Sequence, residues 1–279
     1  MKIWSDVEYV YRCLADTERT LAFRTAIEAA VRPGDTVLDL GTGSGIMALF
    51  AAKAGARKVF AVEVGAYLSN VSRDIFAENG YGGTIVSLHM DARHVDLTRI
   101  EKPNVVVCEM ITTGLIGEPQ VPVISSLKQA GVIDAYTRLV PAAISTSISL
   151  VNANLDFFGM QLRFPIFVDY FTRSFERYVE LLSEERTAYS LNFSSDFGED
   201  VRIGEVLPIV KSGRANGILL RSVTSFVGDT SLGTCISYCQ PVILPIKDMH
   251  VSQAETVMTE MRYRMGKGFD SLKYDVRKR

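Results

Sequence analysis

The hydrophobic pattern changes character about halfway along the chain. In the first half, apolar runs of strand length alternate with stretches of helical spacing. Val37–Leu40, Val59–Val62, Thr84–His89 and Asn104–Cys108 read as strands. Cys13–Val31, Ile46–Ala54, Tyr67–Glu78 and Val123–Tyr136 read as helices between them, the first capped by Asp16 or Thr17. Such alternation predicts βαβ units and a parallel sheet. From Ser145 the alternation stops. Ile144–Val151, Arg202–Ile209, Gly217–Phe226 and Val242–Ile246 read as strands separated by glycines and prolines, with one helix-like stretch at Phe171–Glu185. The pattern predicts an α/β domain over residues 1–143 and a β-rich domain over 144–279.

The most informative stretch is VLDLGTGSGIMALFAAKAGARKVFAVE, residues 37–63. It reads as strand, glycine turn, helix, strand. Ligands bind at the carboxyl ends of strands in such units, so Gly41–Gly45 and Glu63 face one crevice. The glycines follow Gly-x-Gly-x-Gly, with Ile46 where a dinucleotide fingerprint has its third glycine, which argues against NAD or FAD. Asp39, just ahead of the glycines, is also awkward for a pyrophosphate. A cofactor without phosphates suits that acid better, and S-adenosyl-L-methionine is one. Glu63 would accept hydrogen bonds from its two ribose hydroxyls, and Asp91, just past the third strand, lies where adenine would be. Asp39, Gly41, Thr42, Gly43, Gly45, Glu63 and Asp91 are therefore the candidate cofactor contacts. A Rossmann-like turn that binds no cofactor is the plainer alternative.

Composition narrows the class. At 47% hydrophobic and 22% charged, 279 residues can bury a substantial core. The formal net charge of −2 argues against a dominant nucleic-acid surface. The Arg277-Lys278-Arg279 tail is a short solvated cluster. No apolar run approaches the roughly 20 residues of a membrane span, and MKIWSDVEY has no signal-peptide hydrophobic core. Four cysteines in this setting predict reduced thiols and a cytoplasmic location. Cys235 and Cys239 have no nearby histidine to complete a metal site, and Cys108 reads as a strand-end core residue. His89, His94 and His250 are scattered, so no metal is expected.

Three stretches together resemble the protein arginine methyltransferases: Arg19-Thr20 in LADTERTLAFR, the glycine region, and CEMITTGLIGE. The resemblance is strong over residues 12–120. It implies a class I methyltransferase (Rossmann-like) parallel sheet, followed by a β-rich barrel-like domain with a helical insertion near Phe164–Ser183 that serves a homodimer. It implies that the helix carrying Arg19 covers the cofactor and that Arg19 pairs with the carboxylate of its methionine tail. It implies that Glu109 and Glu118, nine positions apart, clamp a substrate guanidinium. The chemistry makes two acids reasonable. Two like unit charges roughly 4 Å apart repel by about 4 kcal/mol at an effective dielectric of 20, and two carboxylates offset that repulsion between sulfonium and guanidinium.

The chain also departs from the family. The Thr-His-Trp loop, whose histidine helps bind one clamp glutamate, corresponds to Thr234-Cys235-Ile236-Ser237-Tyr238 and has no histidine. Met110-Ile111-Thr112-Thr113 replaces the usual Trp-Met-Gly. The acceptor therefore stays open at this point: arginine in a protein or peptide, free arginine, another guanidino metabolite, or an amine or hydroxyl. A cofactor-binding scaffold without catalysis is a further alternative.

Overall fold

The computed structural model describes residues 5–168, 179–228 and 230–279. Its first half holds α1 (Val7–Ala15), α2 (Thr17–Ala30), β1 (Thr36–Leu40), α3 (Ile46–Lys53), β2 (Lys58–Glu63), α4 (Ala66–Glu78), β3 (Ile85–His89), β4 (Val105–Cys108), α5 (Gln120–Gln129) and β5 (Arg138–Val140). The five strands form one parallel sheet in the order β3-β2-β1-β4-β5. All of β1 and β4 is buried, as expected for strands covered on both faces.

Helix boundaries follow local chemistry. The single helix expected over Cys13–Val31 is two helices. Asp16 is extended (φ −71°, ψ 92°); it ends α1 and caps α2, accepting a hydrogen bond from the Arg19 amide at 3.3 Å. The helix expected to reach Tyr136 stops at Gln129. Gly131 has φ +70°, its amide bonds Lys128 O, and the Val132 amide bonds Leu127 O, a Schellman stop. That stop frees Arg138–Val140 to form the edge strand, pinned by an Arg138–Asp35 ion pair at 2.8 Å.

The second half continues with β6 (Ala143–Ala153), β7 (Asp156–Phe157), β8 (Met160–Gln161), β9 (Ile166–Phe167), β10 (Val179–Leu181), β11 (Arg186–Asn192), β12 (Asp200–Pro208), β13 (Gly213–Ser225), β14 (Ser231–Leu232), β15 (Val242–Val251), β16 (Thr256–Arg264) and β17 (Lys273–Lys278). A seven-stranded antiparallel sheet is built on β6, β13 and β15, and β12-β16-β17 form a second sheet. The expected helix at Phe171–Glu185 needs correcting where it is described. Val179–Leu181 is a strand on β6, with Val179 buried, and Glu184 bonds the Pro208 carbonyl; residues 171–178 lie outside the described residues. One buried core runs from the α2 side of the parallel sheet into the β-rich half, joined by Phe23 of α2 packing edge-on against Phe226 and Tyr238. Among the described residues no helix is long and apolar enough to cross a membrane.

Candidate active site

Strand register assembles the site. Leu40 pairs with Val62 on one side and Cys108 on the other, so Gly41, Glu63 and Glu109 fall level at the carboxyl ends of three adjacent strands. The glycine turn curls back over them. The Gly41 and Thr42 amides donate to the Val62 carbonyl, and the Gly43 amide donates to Glu63 Oε2 at 3.0 Å. Gly45 caps α3 at φ +83°, and a Cβ there would lie 2.7 Å from the Phe76 ring, so only glycine lets this turn sit on α4.

A cavity of about 260 Å³ opens at this edge. Arg19, Gly41, Thr42, Gly43, Glu63, Asp91, Glu109 and Glu118 all line it; Asp39 and Gly45 do not. Asp39 is 1% exposed and takes the Thr42 hydroxyl, and burial pushes its carboxyl up to about 7 against that hydrogen bond. It braces the turn from inside. Asp91 caps a short turn and is gripped by Arg93, whose Nε and amide each donate at 3.0 Å.

Glu63 is 3% exposed. Besides the Gly43 amide it accepts from the Gly65 amide at 2.7 Å and from the Ser5 hydroxyl at 3.1 Å. Three donors leave a carboxylate one of its roughly four acceptor positions. Ser5 belongs to the approach to α1, which lies over the turn and brings Val10 near Gly43.

Arg19 is buried and forms an ion pair with Glu109, while its Nη1 donates to Cys13 O at 3.1 Å. Burial works against the charge, but the Glu109 carboxylate outweighs it and holds the guanidinium charged more firmly than usual. Its Nε has no hydrogen-bond partner. Glu118, 4% exposed, accepts from the Tyr9 hydroxyl at 3.5 Å through Oε1, and its Oε2 has no partner. Burial, and then the nearby Glu109 carboxylate, raise the Glu118 carboxyl above its ordinary range. The cavity thus keeps one orphaned donor on Arg19 and one orphaned acceptor on Glu118.

Residues with no mark in the sequence hold the two acids. Gln120, fully buried, donates to the Cys108 carbonyl at 2.7 Å and accepts from the Met110 amide at 3.0 Å, gripping the backbone on both sides of Glu109. The Thr112 hydroxyl accepts from the Gly117 amide at 3.0 Å. The β-rich half fixes the turn between the acids: Thr113 donates to the Gln240 carbonyl at 2.6 Å, Ser222 accepts from the Gly114 amide at 2.9 Å, and Tyr263 donates to the Gly114 carbonyl at 2.6 Å. Ser237, in the stretch that corresponds to the family's Thr-His-Trp loop, donates from its amide and hydroxyl to Asp16 at 2.7 and 2.8 Å. It thereby ties the second half to the cap of the Arg19 helix rather than to a glutamate. Among the described residues no group of three His, Cys, Asp or Glu side chains could hold a metal ion.

The donor set fits adenosylmethionine. A buried guanidinium with a spare N–H suits an amino-acid carboxylate, and Glu63 lies at the second strand end, where a ribose would be met. Comparison with known proteins agrees. The family model "Ribosomal protein L11 methyltransferase (PrmA)" matches residues 18–133. Arginine N(omega)-methyltransferase of Streptomyces achromogenes subsp. streptozoticus is 38% identical over 114 residues, covering 40% of this chain and 32% of that protein. Protein arginine N-methyltransferase 9 of Xenopus laevis is 32% identical over 152 residues, covering 50% and 18%. The Trypanosoma brucei PRMT1 enzyme-prozyme heterotetrameric complex with AdoHcy superposes with a TM-score of 0.77 at 15% identity, covering 99% of this chain and 98% of that one. The fold is therefore that of the arginine methyltransferases, a Rossmann-like sheet followed by a β-rich domain, and the protein is an S-adenosyl-L-methionine-dependent methyltransferase. Within this arginine-methyltransferase-like class it belongs to the family of the uncharacterized protein MJ1452 of Methanocaldococcus jannaschii, to which it is 30% identical over 269 residues, 96% of each chain.

Proposed function

We propose that the acceptor is a guanidino nitrogen, clamped by Glu109 and Glu118. The observation that carries this reading is the orphaned, buried Oε2 of Glu118 in a cavity that also holds Glu109. A buried carboxylate oxygen without a donor costs folding free energy, so its retention points to a cationic N–H donor that arrives with a ligand. A guanidinium has N–H groups to spare for two carboxylates. Arg19 neutralises one acid in the free protein, so one negative charge is left for the incoming cation when Glu118 is ionised.

When bound, adenosylmethionine supplies a methyl group on a sulfonium, where a nucleophile can displace it. The chain's part is positioning and electrostatics. Glu63 and Arg19 hold the two polar ends of the cofactor, with Gly41, Thr42 and Gly43 forming the floor and Asp91 at the adenine side. Glu109 and Glu118 hold the guanidinium flat and draw positive charge toward the nitrogens they touch, which leaves the attacking nitrogen richer in electrons. Asp39 and Gly45 keep the turn in shape. Residues 1–143 then make up the cofactor-binding domain and 144–279 the domain that completes the acceptor site.

We also infer a homodimer. The hairpin around β7 and β8 supports it, because Phe158 is 102% exposed and Met160, Leu162 and Phe164 are exposed beside it. All four cysteines are free, which supports a cytoplasmic location. One observation favours a second reading: Glu109 is engaged by Arg19, so Glu118 alone would serve an amine acceptor. The test is methyl transfer by the purified chain to arginine, an arginine peptide, and amine and hydroxyl acceptors, followed by mass. Methylation of guanidines that is lost in Glu109→Gln, with cofactor still bound, supports the clamp. Methylation confined to amines or hydroxyls overturns it.

A further inference from the structure

A second cavity, of about 880 Å³, lies on the outer side of the acids. Tyr9 and Gly117 line both cavities, and Tyr9 reaches Glu118 through its hydroxyl, so the two spaces meet at the clamp. The wall away from the clamp is aromatic and aliphatic: Tyr11, Phe167, Ile236 and Phe269, with Phe167 and Phe269 edge-to-face at 5.9 Å. The described residues lining it include no carboxylate, and the one charged side chain is Arg12, paired with Glu8. A volume in the roughly 300–1,000 Å³ range of small-molecule sites, with apolar walls and few polar groups, suits a compact organic body.

Resting on the guanidino reading above, we propose that the acceptor is a small guanidino compound with a single positive charge. Its apolar or aromatic body fills this outer cavity. Three physical points support the assignment. The acids of the site lie at the inner end, where Glu109 and Glu118 line the first cavity together with Glu63 and Asp91. A second cation on the ligand would lie beside Arg12 with no acid among the described lining residues to offset it. Aromatic walls gain most from an apolar or ring-bearing body. An arginine-rich segment, with cations spaced along it, meets the opposite environment.

The test is a matched pair with the same tether: 4-phenylbutylguanidine, which ends in a ring, against 4-aminobutylguanidine, which ends in an ammonium. An Arg-Gly repeat peptide is a third arm. The expected kcat/KM is at least about tenfold higher for the phenyl compound than for the amine, the size of one good aromatic contact. Phe269→Glu should move that ratio toward the amine by a similar factor. Tyr11→Glu, at a 66% exposed position on α1, should do the same and serves if the first variant does not fold. Equal or better use of the amine or the peptide by the unaltered protein, or a ratio that neither variant moves, overturns this inference and leaves the guanidino reading intact. Methylation of amines or hydroxyls with no guanidine methylated overturns both.

Discussion

Glu118→Gln should make the free protein more stable and the enzyme nearly inactive. The side chain is 4% exposed, its Oε2 has no hydrogen-bond partner, and Glu109 lies close enough to raise its carboxyl further. Glutamine keeps the shape and still accepts from Tyr9 through its oxygen. It removes the buried charge and puts an amide nitrogen where the orphaned carboxylate oxygen was, so the gain is the cost of the charge. An unsatisfied buried polar group costs about 1–3 kcal/mol, more when charged. A domain of this size shifts its Tm by roughly 2–4 °C per kcal/mol.

The sign against pH follows from linkage. The folded carboxyl titrates above the unfolded value of 4.5, so between the two the folded state holds a proton that the unfolded state has lost. Stability of the unaltered protein from this group therefore falls as pH rises through that window. The glutamine variant lacks the slope, and the difference vanishes below the unfolded value. Urea unfolding of both proteins at acidic, neutral and mildly alkaline pH reads this directly. Turnover on a guanidine should fall by about 100-fold or more, the scale of losing one preorganised charge partner. Guanidinium binding should release a proton, so acceptor affinity in the unaltered protein should rise with pH across the same range. A glutamine variant that is less stable at alkaline pH, or a stability gap that does not widen with pH, would show that Glu118 is satisfied in the fold and refute the reasoning.

The other predictions concern groups around it. Arg19→Met leaves Glu109 buried without its partner and should cost about 3–5 kcal/mol in urea unfolding; the same variant should bind S-adenosylhomocysteine at least about tenfold more weakly by calorimetry, for the loss of a charge-assisted contact. Gln120→Met keeps the volume but strands the Cys108 carbonyl and the Met110 amide, which predicts a loss of about 2–4 kcal/mol by urea unfolding. Because that loss loosens the backbone beside Glu109, acceptor kcat/KM should drop further than cofactor affinity. Phe158→Glu with Met160→Glu should convert a dimer to a monomer in light scattering; an unchanged mass would exclude that hairpin as the contact.

Sequence reading succeeded where a residue's chemistry is local. Val37–Leu40 is apolar at three of its four positions because a central parallel strand is covered on both faces, and the glycines behind it mark positive φ without any knowledge of the rest. The strand ends, and with them Glu63 and Glu109, followed from that. The reading weakened where burial depends on partners far along the chain. In β16 the inward positions are Val257, Thr259, Met261 and Tyr263, a clean period of two, but a threonine and a tyrosine among them hide it from an apolar count. β17 shows the same at Tyr274 and Val276 in KYDVRK. Gln120 follows Glu118 by two residues and looks like an ordinary helix-start polar residue; only the fold turns it into the amide that grips Cys108 and Met110. Ser237 likewise carries no mark of its role in the sequence; only the fold brings it to Asp16, 221 residues away along the chain.

These braces explain why the site needs both halves of the chain. Glu109 is set by the parallel sheet, through register, Gln120 and Arg19. Glu118 stands at the far end of a turn whose middle is held by the β-rich half, through Ser222, Gln240 and Tyr263. The turn includes Gly114 at φ +69° and Leu115 at φ +54°, a backbone state costly for a leucine, and it persists because these bonds over-determine it. Tyr263 also contacts Tyr189 at 3.1 Å, which extends the brace into β11. A fragment ending after β5 would retain the glycine turn and Glu63 but would lose the groups that fix the second acid. The proposed cofactor contacts thus belong to the first half, whereas the spacing of the two carboxylates is a property of the whole molecule.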